Sequence, residues 1–332
     1  MHIFKNTNYD FLRWRWYAIG LSTILIVVGL AVIATRGLRM GVEFAGGTVV
    51  IAQFEREVSI QEVRSAISSV GSQEAIVNSY GDPAQRQIMI RLPDVGAESG
   101  QALSRTADAV VGALKAANLG TFEVIGTEIV GPAVGTELKS KGLSATVLSL
   151  AGILAYLTFR YQFSFAVGAV VATVHDLLIT FAFLAFFGYD ITLNVIAAIL
   201  TVAGYSSNDT IVVFDRVREN LRSMRRDSLS HVINVSVNQT LGRTVITAGL
   251  TFLSVVALFL FGGEVLRGFA FTLIVGIITG TFSTVFVAAF VASLWGGKAP
   301  ARAVAQAPAP VAATSPQQPT RKTKPTRKAR AS

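Results

Sequence analysis

Gly204-Tyr205-Ser206-Ser207-Asn208-Asp209-Thr210 is a polar heptapeptide set inside an apolar run that begins at Ile191 and ends with Ile211-Val212-Val213-Phe214. Apolar residues resume directly behind it, so the interruption belongs to one hydrophobic span and not to a loop between two. Roughly 17 to 25 helical residues cross a bilayer core of about 30 Å. A carboxylate placed in such a span costs several kcal/mol unless it has a partner or a purpose. Whether Asp209 lies at lipid depth therefore governs how the rest of the chain is read.

Five further apolar stretches of spanning length accompany it, near Tyr17–Thr35, Leu143–Phe159, Phe163–Phe187, Val245–Phe261 and Gly268–Leu294. The composition agrees: 332 residues are 52% hydrophobic and 15% charged, where soluble chains carry about 25% charged residues. Lys5, Arg13 and Arg15 imitate the start of a secretory leader. The apolar run behind them is longer than the roughly 7 to 15 residues of a leader core, so it reads as a retained anchor. The expected fold class is an α-helical polytopic membrane protein with six transmembrane helices.

Charge placement sets the orientation. The net +9 is uneven. Residues 40–140 carry seven basic and twelve acidic residues, the 216–243 segment six basic and two acidic, and residues 298–332 eight basic and none acidic. With six spans, the basic segments share one side with both termini, which reads as cytoplasmic, and 40–140 falls on the other. The expected organisation is a cytoplasmic N-terminus (1–16), transmembrane helix 1 (17–35) and an outside domain (40–140). Helices 2 to 6 (141–297) follow, with a cytoplasmic loop at 216–243, and then a disordered basic tail (298–332). That tail reads either as a solvated extension reinforcing topology or as a contact for anionic lipid or RNA.

Within the outside segment, Thr48–Phe54 has a strand pattern and Ser59-Ile60-Gln61-Glu62 is a capping box opening a helix to about Val70. Ala75–Tyr80 and Gln87–Leu92 flank the turn Gly81-Asp82-Pro83, Glu98–Asn118 is amphipathic, and Thr121–Val130 is a last strand. This β-α-β-β-α-β order is the ferredoxin-like arrangement. Cysteine is absent and only three histidines occur. No phosphate-binding loop, zinc-binding pair or nucleophile–base set appears, so no enzyme activity, metal or cofactor is expected.

The chemistry sits at lipid depth. His175 and Asp176 occupy span three, Asp209 span four and Arg243 the start of span five. Asn194, Thr201 and Asn208 recur at seven-residue spacing beside Asp209; Arg243, Thr247, Thr251 and Ser254 form a second polar stripe, and Thr173, Asp176 and Thr180 a third. Three such stripes suggest a hydrated path between the helices. Burial favours the neutral carboxyl and a nearby arginine the ionised one, so an Asp209–Arg243 contact that makes and breaks would move a proton. In this reading Asp209 is the carrier, Arg243 the gate, and Asn208, Thr201 and Thr247 hold water. A proton falling through roughly 150 mV releases about 3.5 kcal/mol, enough to shift a two-state balance by two to three decades. A static Asp209–Arg243 pair that fixes helix register stays open as the alternative, and so does a structural His175–Asp176 pair. Gly276 and Gly280 read as a helix-packing face. The Asn-x-Ser/Thr sequences at Asn208, Asn234 and Asn238 fall in the membrane or on the inner side, which argues against glycosylation.

Gly41-Val42-Glu43-Phe44-Ala45-Gly46-Gly47-Thr48 is similar to a Gly-x-Asp-Phe-x-Gly-Gly signature, with Glu43 in place of Asp and Ala45 where Thr is common. Val130-Gly131-Pro132-x-Val134-Gly135, His175-Asp176, Ala203-Gly204-Tyr205-Ser206-x-Asn208-Asp209-Thr210, Val213-Phe214-Asp215-Arg216, Asn238-Gln239-Thr240-x-x-Arg243-Thr244 and Gly262-Gly263 complete a pattern over about residues 1–297. Together they resemble the SecF family, membrane subunits of the SecD–SecF protein-export accessory complex in the resistance-nodulation-division superfamily. The resemblance implies a signature turn at Gly41, Glu43, Gly46 and Gly47, a proton-pathway pair at Asp209 and Arg243, and placement in the bacterial cytoplasmic (inner) membrane. It implies SecD, the SecYEG channel, SecA and the translocating preprotein as partners, with YajC and YidC as further candidates and no specific nucleic acid. The implied work is protein translocation driven by proton motive force, with sodium as an alternative coupling ion. A non-conducting scaffold, or half of a small-molecule or lipid exporter, remains the competing reading.

Overall fold

The computed structural model describes residues 7–68, 75–92, 100–161 and 163–296. Val70, Glu98 and the 298–332 tail, for which sequence-based expectations were stated, lie outside them. Six helices are long and apolar enough to cross a membrane. A 3-10 turn at Phe11–Trp14 leads into α1 (Arg15–Arg36), a short α2 (Val42–Ala45) follows, and the sheet domain comes next. The remaining spans are α5 (Pro132–Arg160), α6 (Phe163–Phe187), α7 (Leu193–Ser223), α8 (Leu229–Phe261) and α9 (Gly263–Ser283), the last extended by a π turn (Thr284–Ala288) and α10 (Ala289–Gly296).

The sheet domain contains β1 (Gly47–Phe54), α3 (Ile60–Ile67), β2 (Ile76–Tyr80), β3 (Gln87–Leu92), α4 (Gly100–Ala116) and β4 (Phe122–Val130). Its strand order is β2-β3-β1-β4, with every pair antiparallel, which is the ferredoxin-like topology expected. Alternation decides the faces: Val50, Ala52, Phe54, Val77, Ile88, Ile90 and Leu92 bury against Val63 and Ile67 of α3 and Val110 and Leu114 of α4. The capping box forms, since the Ser59 hydroxyl accepts from Glu62 N–H at 3.2 Å and Glu62 Oε2 accepts from Ser59 N–H at 2.9 Å. The Ser59 N–H and the Ser59 hydroxyl, both donating to Glu62 Oε2 at 2.9 Å, hold that carboxyl below its ordinary value.

Two boundaries differ from the sequence reading, each because a helix needs hydrogen bonds and not hydrophobicity to continue. The outside domain ends at Val130 and not at 140: Pro132 occupies the first turn of α5, where its missing N–H costs nothing, and the helix runs on to Arg160. The expected loop at 216–243 shrinks to residues 224–228. Residues 216–223 continue α7, helped by Arg216–Glu219 at 2.6 Å, and 229–243 form the first half of α8, where Ser228 caps His231 N–H. Gly204–Thr210 stays within one span as expected: α7 is helical throughout, and the interruption is one of polarity.

The N-terminal segment is tied down. Asn238 Oδ1 accepts from Tyr9 N–H and Asn234 Oδ1 from Phe11 N–H, both at 2.9 Å, while both Asn side chains donate back to Tyr9 O. The two asparagines of the Asn-x-Ser/Thr sequences on α8 thus act as clamps. Gly276 and Gly280 let α9 press on α7, because a Cβ at either would meet Val202 or Ser206.

Candidate functional site

The intramembrane polar residues divide into two groups that share α7 but engage different neighbouring helices. One group is closed. Asp176 is fully buried, with Oδ2 accepting from Ser206 Oγ of α7 at 2.6 Å and Ser283 Oγ of α9 at 2.7 Å. Its Oδ1 lies 3.0 Å from His175 Nδ1. Below it, Thr173 meets Ser207 at 3.3 Å and Thr210 meets Thr284 of the π turn at 3.0 Å. The expected stripe of Thr173, Asp176 and Thr180 is therefore real and wholly interior.

The other group is open. Asp209 Oδ1 accepts from Thr244 Oγ1 of α8 at 2.9 Å, and its Oδ2 has no hydrogen-bond partner although the atom is buried. Arg243, expected as the direct partner, makes no ion pair among the described residues. Its side chain is exposed and acts on Asp209 only through its charge. Arg243 and Thr244 are neighbours separated by about 100° around the helix, so only one of them can face Asp209 squarely. The static Asp209–Arg243 pair is thereby corrected: in this structure Asp209 bonds Thr244 and not Arg243.

Asn194, Thr201 and Asn208 are all exposed on α7, and Arg243, Thr247 and Ser254 on α8. Thr201 and Thr247 use their hydroxyls on carbonyls of their own helices, Ala197 O and Arg243 O. Asn208 lines a groove between α5 and α7 with Gly152, Tyr156 and Gly204. These two stripes do not converge with that of α6 on one interior path; their residues stand on surfaces of α7 and α8 that this chain leaves exposed. Thr244, Ser206 and Ser283 are the residues the sequence reading did not single out. Ser206 sits in the quoted heptapeptide, and Thr244 adjoins Arg243 in the resemblance motif, but nothing local marks Ser283.

The signature turn serves the same helix from outside. Gly41 N–H donates to Ile191 O at 2.7 Å, and a Cβ on Gly41 would meet Glu43 Oε2 and Ile191 O. Glu43 Oε1 accepts from Leu193 N–H at the start of α7, at 3.4 Å, where a helix N-terminus favours a negative charge. Gly46 and Gly47, at φ +76° and +117°, turn the chain into β1. Above this turn a cleft of about 330 Å³ separates the open sheet face from the ends of α6, α7 and α9. Arg91 bridges it to Asp190 at 2.6 Å. Burial pushes the Glu128 carboxyl on its wall upward, the Glu43 carboxylate adds to this, and Arg91 opposes it.

Among the described residues no group of three or more His, Cys, Asp or Glu side chains is arranged to hold a metal ion. What the lipid-depth geometry offers is an acid with one free oxygen beside a cation and a column of hydroxyls.

Comparison with known proteins agrees with this architecture. The family model described as protein export membrane protein SecD/SecF, C-terminal, matches residues 110–298, and the SecD/SecF GG motif matches 31–58. The protein translocase subunit SecF of Desulfurispirillum indicum is 43% identical, over 86% of this chain and 91% of that one. The subunit of the same description from Escherichia coli O157:H7 is 38% identical, over 87% and 88%. The crystal structure of SecDF from Thermus thermophilus, described as a translocon-associated membrane protein, superposes with a TM-score of 0.77 at 32% identity over 88% of this chain. SecDF in a super-membrane-facing form gives 0.65 at 32% identity over 91%. The chain spans about two fifths of those two SecDF chains, 39% and 41% of their lengths.

Proposed function

This chain belongs to the SecF family of protein translocase subunits, and from that membership we propose that it uses proton motive force, together with a SecD-type partner, to promote protein translocation. The observation that carries the proposal is Asp209: a carboxyl group at lipid depth with one oxygen held by Thr244 and the other unpartnered, beside an exposed Arg243. A fixed structural acid would have both oxygens satisfied. The partnership is supported by the polar face itself, since Thr201, Asn208, Arg243 and Thr247 would otherwise meet hydrocarbon. A second membrane subunit covering that face would bring its own polar groups to Asp209 and complete a hydrated route for which this chain supplies one wall.

In this reading the protein is a multi-pass subunit of the bacterial cytoplasmic membrane with both termini inside. It has no enzymatic step or cofactor of its own, and the proton is its coupling ion. SecYEG, SecA and the preprotein are its working partners, with YajC and YidC as accessory ones. The Glu43 cap on α7 and the Arg91–Asp190 bridge give a movement of α7 a direct hold on the sheet domain.

The test is Asp209→Asn in the assembled complex. Export that depends on the proton gradient should be abolished while co-purification with the SecD-type subunit is unchanged. Normal export from the intact mutant complex would leave the chain a non-conducting scaffold. Replacing the proton gradient with a sodium gradient in the same vesicles identifies the coupling ion. Arg243→Ala should be at least as damaging as Arg243→Lys, and wild-type export in both would remove Arg243 from the mechanism.

A further inference from the structure

Helices α1 and α6 run in the same direction. Leu12 clusters with Phe165 and Ala166 at one end, and Gly41 N–H reaches Ile191 O just beyond the other. They press together where a Cβ on Gly29 would run into Ala182. Seven residues earlier on each helix, two turns along the same face, stand Ser22 and His175. Both are buried, at 3% and 8% exposure. Ser22 Oγ and His175 Nε2 each lack a hydrogen-bond partner among the described residues.

A buried hydroxyl or imidazole nitrogen without a partner costs about 1–3 kcal/mol. Two of them at one level of one helix interface mark a place for a shared third group. Both can donate and accept, which matches what a water offers. On its far side the imidazole reaches Asp176, whose carboxylate Ser206 and Ser283 hold in place.

We propose that Ser22, His175 and Asp176 form a second intramembrane proton-binding relay, separate from Asp209, in which one buried water joins Ser22 to His175. A proton delivered by that water to Nε2 displaces the Nδ1 proton onto Asp176 Oδ1. The imidazole ends neutral in its other tautomer, and the carboxylate ends as a neutral acid. The pair thus takes up one proton and loses its single negative charge. The faces turned toward it carry Ser22 from α1, Ser206 from α7, and Ser283 with the Phe282 ring from α9. Residues of α5, the π turn and α10 that pack on α6 near its start are apolar, Leu157, Val285, Ala288 and Ala292 among them. No second acid or base is among these groups, and Asp209 is turned to Thr244 on α8.

Nitrogen NMR of the full chain, labelled with 15N-histidine and reconstituted in lipid vesicles, tests this directly. Only His2, His175 and His231 contribute, and His175→Gln assigns the relevant signals. As pH is lowered from about 8 to about 5, the His175 signals should exchange between the two tautomers. The exchange should persist in Asp209→Asn and in Ser22→Thr, which keeps the hydroxyl, and be lost in Ser22→Ala and Asp176→Asn. A single His175 tautomer at every pH would overturn the relay. So would an exchange that Ser22→Ala leaves intact, or a higher unfolding temperature in Ser22→Ala, the sign of a hydroxyl that held nothing. Persistence in Asp209→Asn keeps this outcome separate from the fate of the Asp209 reading.

Discussion

Asp176 and Asp209 sit on neighbouring helices, at lipid depth, in chains of hydroxyl-bearing residues, yet their surroundings are opposites. Asp176 has three partners drawn from α6, α7 and α9 and no exposure. Asp209 has one partner, an unpartnered oxygen, and a neighbouring cation that does not close on it. Satisfying a buried carboxylate from three helices ties those helices together. Leaving one half-satisfied at an open face keeps its state dependent on what arrives there. The comparison teaches that depth in the membrane does not by itself assign a role to an acid. Its hydrogen-bond partners decide whether a proton can reach it through a neighbour, as through His175, or only from an open face.

The hardest way to break this contrast is at Asp209. Asp209→Asn should lower proton-driven export by roughly 100-fold or more, the scale set by a shift of two to three decades in a driven equilibrium. The same substitution should change thermal stability by less than about 1 kcal/mol, because one hydrogen bond to Thr244 is at stake. Next comes Asp176→Ala, which strands the hydroxyls of Ser206 and Ser283 and should cost about 3 kcal/mol or more in unfolding of the purified protein. Equal stability losses at the two acids would dissolve the distinction. Thr244→Val, which keeps shape and removes the donor, should slow export by no more than about tenfold, corresponding to about 1.4 kcal/mol.

A smaller version of the contrast lies outside the membrane and is read through pH. Glu62 is satisfied by Ser59, which lowers its titration. It therefore contributes stability above the ordinary glutamate value, and the contribution disappears as pH falls through the lowered one. Glu128 is raised by burial and by Glu43. It opposes folding above its raised value, and that opposition is relieved as pH falls through that value toward the ordinary one. Hydrogen exchange of β4 amides should show Glu128→Gln protecting them modestly at neutral pH, by less than about 0.5 kcal/mol at this half-exposed site. The gain should vanish in acid, whereas Glu62→Gln should flatten the acid loss of α3. A protection pattern of the opposite sign at neutral pH would reverse the assignment at Glu128.

Much of this was legible beforehand. The six spans, the ferredoxin-like domain, the capping box at Ser59 and the packing face at Gly276 and Gly280 each rest on residues close together in sequence, and all appear in the structure. The wrong boundaries at 140 and at 216–243 came from equating the end of an apolar run with the end of a helix. At the candidate site, Asp209, His175 and Asp176 stood out by their rarity in apolar surroundings. Thr244 was overshadowed by the charged residue beside it, and Ser283, separated by 107 positions from Asp176, carried no local mark.

The amino-acid sequence by itself determined which segments enter the membrane, which fold outside it and which acids must be buried, because hydropathy and short-range periodicity are properties of neighbouring residues. The tertiary structure alone decided that Ser206 faces Asp176 while Asp209, three positions on, faces Thr244. Three positions amount to about 300° of turn, so the two side chains stand only about 60° apart on α7. The packing of α6, α9 and α8 around that side hands each to a different neighbour. Which neighbours those are depends on how α6, α7, α8 and α9 pack across tens of residues of intervening chain.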